Sequence, residues 1–207
     1  MSARSDPFHH ESVQTARVAG EIVLVRHGET EWSRTLRHTG RTDVPLTDQG
    51  RRQAEVVGRA LHGRPFELVL ASPLQRAAET CRLAGFGAEA QARDDLCEWD
   101  YGDYEGRTTA EVREEVPGWT LFSGGVPNGE TAAEVGDRAD RILAEASAAK
   151  GDVLLFAHGH VLRVLAARWL GLEPSAGRLF ALDPATLSTL GHEREQHVLR
   201  SWNTAVG

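Results

Sequence analysis

The sequence predicts an α/β protein in which a mostly parallel sheet carries helices on both faces. Three observations lead there. The apolar runs in "EIVLVRHG", "FELVLAS" and "DVLLFAHGH" do not alternate with polar residues, so each reads as a strand buried on both faces. Helical patterns with recognisable start signals stand between those runs. The chain has 207 residues and is 41% hydrophobic, which is enough to fill a three-layer core.

The elements follow in order. Residues 1–20 scatter Arg, His, Asp and Glu without an apolar block; they read as a flexible tail and not as a secretion signal, leaving 21–207 as one domain. The first strand stops on Arg26, His27 and Gly28. After a loop, Thr47 caps a helix with Ala54, Val57, Gly58 and Leu61 on one face. A second strand covers 66–72. Its continuation "SPLQRAAET" predicts Ser72 as N-cap, Pro73 at the first helical position and Gln75 completing a capping box. Leu96 is expected to close a third strand. Thr108 with Glu111, and Thr131 with Glu134, open two more helices, the second burying Val135, Ala139, Ile142 and Leu143. The strand before His158, Gly159 and His160 leads into a helix with Val161, Leu165, Ala166 and Trp169 on one side. Two β segments, near 178–183 and 187–200, end the chain.

Charge and composition narrow the function. A net charge of −7 argues against general nucleic-acid binding but leaves room for a local cationic cluster that takes a small anion. No run of about 18 apolar residues is present to span a membrane. Two cysteines, Cys81 and Cys97, form no CxxC pair and fit a reducing, cytoplasmic setting. No HExxH or Asp-rich run implies a metal, and paired arginines would repel a divalent cation.

Ligands of such sheets bind beyond the carboxyl ends of the strands. Here three strand ends carry chemically capable residues: Arg26-His27, Ser72 leading to Arg76, and His158. Their convergence predicts one site. Arg26 and Arg76 offer forked donors to a phosphate or carboxylate, helped by the start of the helix holding Arg76 and by peptide N–H groups around Gly159. One neutral imidazole can attack phosphorus, and a second, protonated one can stabilise the transferring oxygens. The leaving group needs a proton, for which Glu98 in "LCEWDYGDYEG" is the first candidate and Glu105 the rival. Trp99, Tyr101 and Tyr104 either wall the pocket or cover core, Tyr104 being assigned to core.

The segments "LVRHGETEW", "TGRTDVPLTDQG", "ASPLQRAAET" and "FAHGHVLR" together resemble the histidine phosphatase superfamily, which includes cofactor-dependent phosphoglycerate mutases, over about residues 21–172. The resemblance implies a three-layer α/β/α sandwich on a mostly parallel six-stranded sheet. It implies His27 as the phosphorylated nucleophile, Arg26, Arg76 and His158 as the phosphate pocket, and Glu98 as proton donor and acceptor. Within the family, Ser33 stands where mutases usually carry Asn, and Trp99 where they carry Arg. The segment "REEVPGW" offers only Arg113 among carboxylates, so the extra cations a mutase needs are missing. The chain looks most like acid phosphatases and sugar-bisphosphate phosphatases of the sedoheptulose type.

The expected function is therefore metal-independent hydrolysis of a small phosphorylated metabolite, with inorganic phosphate as product and no cofactor. A phosphoglycerate mutase and a non-catalytic phosphate-ester binder are the alternatives. A cationic His158 implies a pH optimum below neutrality. Ser33, Thr39, Gly40, Trp99 and His160, together with Arg107, are expected to meet the substrate beyond its phosphate; His38 is either such a contact or a solvated loop residue. A homodimer is compatible with the chain, although its five tryptophans identify no interface.

Overall fold

Neighbouring side chains of β1 (Ile22–Arg26) enter two different cores. Ile22 and Leu24 belong to one apolar cluster, Val23 and Val25 to another. The same division runs through β2 (Leu68–Ala71) and β4 (Val153–Ala157), with Leu70 and Leu155 on the first side and Val69, Leu154 and Phe156 on the second. A strand that is apolar throughout must be covered on both faces, and this one is. Fully burying each such side chain contributes on the order of 1.5–3 kcal/mol.

This computed structural model describes residues 20–207. The tail expected at 1–20 lies, Gly20 apart, outside the described residues. Between β1 and β2 come α1 (Glu31–Arg34) and α2 (Asp48–Leu61); α3 (Gln75–Leu83) and β3 (Ala90–Ala92) follow β2. Short 3-10 turns at Asp94–Leu96 and Gly102–Tyr104 lead to α4 (Thr109–Glu115), α5 (Leu121–Gly124) and α6 (Ala132–Ala148). After β4 come α7 (Gly159–Trp169), a 3-10 turn at Pro174–Leu179, β5 (Thr186–Glu193) and β6 (Gln196–Ala205). Helices α2 and α3 cover the second core with Val57, Leu61 and Cys81; α6 and α7 cover the first with Val135, Ile142, Val161 and Leu165.

The six strands lie in the order β3-β2-β4-β1-β5-β6. The first four are parallel to one another, and β5 and β6 form an antiparallel hairpin at the edge. Three predicted helix starts are present: Thr47 accepts from the Gly50 N–H, and Thr108/Glu111 and Thr131/Glu134 form reciprocal capping boxes.

Three element predictions are corrected. Ser72 does not cap α3, which starts at Gln75 with no side-chain bond from the residue before it. Asp43, from a distant loop, instead accepts from the Gln75 N–H at 2.8 Å. The third strand ends at Ala92, and Leu96 is turned into a 3-10 segment where Asp94 and Asp95 favour a turn. Residues 178–183 form no strand. Their chain leaves the 3-10 turn as a loop, and extended structure resumes only after Ala185, whose φ is 55°.

Candidate active site

Strand register brings the three polar ends together. In the parallel ladders Arg26 pairs with Ala157, and Ala71 with Phe156. The hydrogen bonding continues one step further: His27 N donates to Ala157 O at 3.0 Å, and Ser72 N to Phe156 O at 2.9 Å. His27, Ser72 and His158 therefore stand side by side at the carboxyl edge. The rings of His27 and His158 are 5.1 Å apart.

His27 is buried, and its Nδ1 lies 2.7 Å from Gly28 O. A carbonyl only accepts, so Nδ1 carries the proton and Nε2 keeps its lone pair. Burial holds the ring's pKa well below the ordinary histidine value, Arg76 and Arg26 push the same way, and the Gly28 bond partly opposes them. Residue 28 must be glycine for this packing, because a Cβ there would lie 2.3 Å from Gly50 O in α2.

Arg76 is fully buried beneath the two imidazoles. Its Nε donates to His158 Nδ1 at 3.0 Å, and its Nη groups donate to the carbonyls of Thr39, Gly40 and Thr42 at 2.9–3.0 Å. It reaches His27 through its charge and does not line the cavity wall. His158 Nε2 lies 2.8 Å from Ser72 Oγ. With Nδ1 accepting, His158 is neutral with its proton on Nε2, and burial beside Arg76 lowers its pKa well below the usual value. The cationic His158 expected from the sequence is corrected, because an imidazolium would set N–H against N–H.

Arg26 donates from Nη1 to Leu182 O, while its Nε is buried with no partner among the described residues. It presses against the start of α7, where a Cβ on Gly159 would come within 3.3 Å of its guanidinium carbon. Glu98 accepts three backbone N–H groups, from Trp99 and Val161 at Oε1 and from His160 at Oε2, each at 2.9 Å. The rival Glu105 accepts from the N–H groups of Gly40 and Thr42 at 2.8 and 3.1 Å, which makes it a loop brace.

A cavity of about 660 Å³ opens over His27, lined among others by Arg26, Glu98, Gly159, Ser33, Thr39 and His160. His38 lies on the same wall, buried, with its pKa lowered to about 4 by burial, so the solvated reading does not hold. Three expected substrate contacts are corrected. Trp99 is 1% exposed in the core, its indole N–H donating to Glu130 O at 2.7 Å. Gly40 packs so tightly that a Cβ would meet Trp99 O at 2.5 Å. Arg107 is paired with Glu115 at 2.8 Å and does not line the cavity, although Thr108 beside it does.

The cavity also holds Arg37, Arg113 and Arg163, so cations beyond the phosphate pocket are not missing as the sequence predicted. They arrive from the α1–α2 connection, α4 and α7. Arg163 had a readable signal: it follows His160 by three residues and shares its helix face. Tyr101 lines the cavity and its hydroxyl lies 2.6 Å from His160 Nδ1.

A neutral imidazole with a free lone pair, set among arginines at the carboxyl edge of a parallel sheet, defines a protein that handles phosphoryl groups. The chain belongs to the histidine phosphatase superfamily (branch 1), whose family model matches residues 22–205. It is 43% identical to an acid phosphatase of Mycobacterium tuberculosis, over 83% of this chain and 86% of that one. It is 36% identical to sedoheptulose 1,7-bisphosphatase of Saccharomyces cerevisiae, over 72% of this chain and 67% of that one. A solved Mycobacterium tuberculosis structure superposes with a TM-score of 0.86 at 39% identity, covering 91% of this chain and 99% of that one. The phosphatase-named relatives support a phosphatase.

Proposed function

We propose that the protein is a metal-independent phosphomonoesterase that hydrolyses small phosphorylated metabolites such as sugar phosphates. The observation that carries this reading is His27, which lines the cavity and whose Nδ1 proton is held on Gly28 O, leaving Nε2 as the free base. In the first step Nε2 attacks phosphorus, the bond to the alcohol oxygen breaks, and Glu98 protonates that oxygen. In the second, water attacks the phosphohistidine while Glu98 takes a proton, releasing inorganic phosphate and restoring His27. Arg26 donates to a phosphoryl oxygen, a role supported by its Nε–H having no partner among the described residues. Arg76 adds charge from below and orients His158, which stands beside His27 as a neutral donor. Preorganised donors of this kind stabilise charge as it develops.

A neutral His158 removes the sequence-based reason for an optimum below neutrality. Transfer to water, and not to a second hydroxyl, rests on the phosphatase-named relatives. Both cysteines are free and buried, which supports a reducing, cytoplasmic setting.

The test is phosphate release from p-nitrophenyl phosphate and a sugar-phosphate panel with EDTA present, comparing the native chain with His27→Ala. Release from the native chain should fall at least about a thousand-fold in the variant. Retained activity, or no release by either protein, overturns the reading.

A further inference from the structure

We infer that Gln53 and Thr80, neither of which lines the cavity, are positioning residues that keep the His27 ring proton on Nδ1 by clamping the two peptides that flank Gly28. This deepens the phosphatase reading and rests on it, because only that tautomer leaves Nε2 free to attack phosphorus.

The geometry begins at the acceptor. His27 Nδ1 lies 2.7 Å from Gly28 O. That carbonyl belongs to the peptide joining Gly28 to Glu29, whose other end is the Glu29 N–H. A half-turn of this peptide would exchange the two directions and set an N–H where the carbonyl stood. Nδ1 would then have to accept, and the proton would move to Nε2. Gly28 has no side chain to resist such a turn. The orientation must be fixed from outside.

Two side chains from different helices fix it. Glu29 N–H donates to Gln53 Oε1 in α2 at 2.8 Å, which pins the peptide carrying the Gly28 carbonyl. Gly28 N–H donates to Thr80 Oγ1 in α3 at 3.1 Å, which pins the peptide before it. Thr80 is fully buried, and its hydroxyl donates to Arg76 O at 2.7 Å, so a lone pair is left for the Gly28 N–H. Helix α2 is shaped to deliver Gln53. A Cβ on Gly50 would lie 2.1 Å from Glu29 O and 2.8 Å from Glu29 N, so the helix comes this close only with bare backbone there. Gln53 follows Gly50 by three residues and stands on the same face, one turn further along. Thr47 N–H, at the start of α2, donates to Glu29 O at 2.9 Å and holds the next peptide as well.

The experiment reads the tautomer directly. Nitrogen-15 NMR of the labelled full chain, above the ordinary histidine pKa, resolves the two ring nitrogens of His27. Their signals are identified by their absence from His27→Ala. In the native chain the proton should sit on Nδ1. Gln53→Met keeps the length and removes the acceptor; Thr80→Val keeps the shape and removes the hydroxyl. Each should shift part of the population to the ring protonated on Nε2. With p-nitrophenyl phosphate each should lower kcat at least about ten-fold, a wrong tautomer at a catalytic imidazole costing up to about 10⁴-fold. KM should move less than about three-fold. Gln53→Glu restores an acceptor oxygen and should recover both the tautomer and kcat.

A native ring protonated on Nε2, or nitrogen signals unchanged in both Gln53→Met and Thr80→Val, overturns the clamp. A fall in kcat without a change of tautomer overturns it too, because a merely structural role would give that result. Absence of phosphate release by the native chain would sink the phosphatase reading, and the nitrogen signals, read without substrate, would then decide the clamp alone. Circular dichroism of each variant excludes misfolding as the cause of a changed signal.

Discussion

Arg76 Nε and His158 Nδ1 stand 3.0 Å apart, and this contact sets the protonation of the second imidazole. A guanidinium can only donate, so Nδ1 must accept, and the ring proton goes to Nε2 opposite Ser72 Oγ. The same guanidinium ties the carbonyls of Thr39, Gly40 and Thr42 beneath the site. One side chain thus couples the loop after α1 to the end of β4.

Replacing that fork tests the coupling. Arg76→Lys keeps a charge but cannot make four directed bonds, so it should lower unfolding stability by about 3–5 kcal/mol. The kcat/KM should fall at least about a hundred-fold alongside. Urea unfolding followed by tryptophan fluorescence gives the first number. Native stability in this variant would show that the fork does not brace the loop.

Acid should destabilise the fold. His27, His158 and His160 have pKa values held well below 6.5 by burial, and His38 is lowered to about 4. A lowered folded-state value means that the unfolded chain binds more protons once the pH drops below about 6.5. Stability is then full above that pH and declines as it falls toward the folded values. Melting temperatures between pH 8 and pH 4.5 check this, and a curve that rises on acidification would contradict it.

Activity at a fixed, folded temperature should behave differently. His27 stays unprotonated far below pH 6.5, so kcat/KM should show no acid limb near the ordinary histidine value. A limb at 6–7 in the native chain would mean that the imidazole is not held neutral as its burial requires.

Glu98→Gln separates proton donation from binding. The amide cannot protonate a poor leaving group, so alkyl phosphates should lose about 10²–10⁴-fold in kcat. p-Nitrophenyl phosphate, whose leaving group needs little help, should lose far less. Equal losses for both substrates would remove Glu98 from the donor role.

Trp99 tests a core assignment. Its ring packs edge-on against Phe122 at 5.5 Å, and its N–H meets Glu130 O. Trp99→Ala should cost about 3–5 kcal/mol of stability. Trp99→Phe, losing mainly the hydrogen bond, should cost about 1 kcal/mol and change kcat/KM within a few-fold. A large specific loss of activity in the Phe variant would return Trp99 to the substrate wall.

Much of the site was legible because its signals are local. An apolar run that ends on Arg26-His27 or on His158 exposes itself within a few residues, as do the Thr108/Glu111 and Thr131/Glu134 boxes. Glu98 was legible as a candidate acid, though not as the acceptor of three N–H groups, two of them from the start of α7. The failures share one cause. Ser72 has the chemistry of a cap and the right neighbours for one, but Asp43 satisfies the start of α3 and His158 claims the hydroxyl.

Periodicity, capping and strand-end chemistry are properties of short stretches, so the sequence by itself determined the α/β class, the helix-flanked parallel strands and the identity of the residues at their carboxyl ends. The tertiary structure decided which of those residues face the cavity, which imidazole nitrogen holds the proton, and that Trp99 belongs to the core while Arg163 does not. Those outcomes depend on partners 82 residues apart for Arg76 and His158, and 156 apart for Arg26 and Leu182. Burial and hydrogen-bond competition act between such pairs only once the sheet has brought them together.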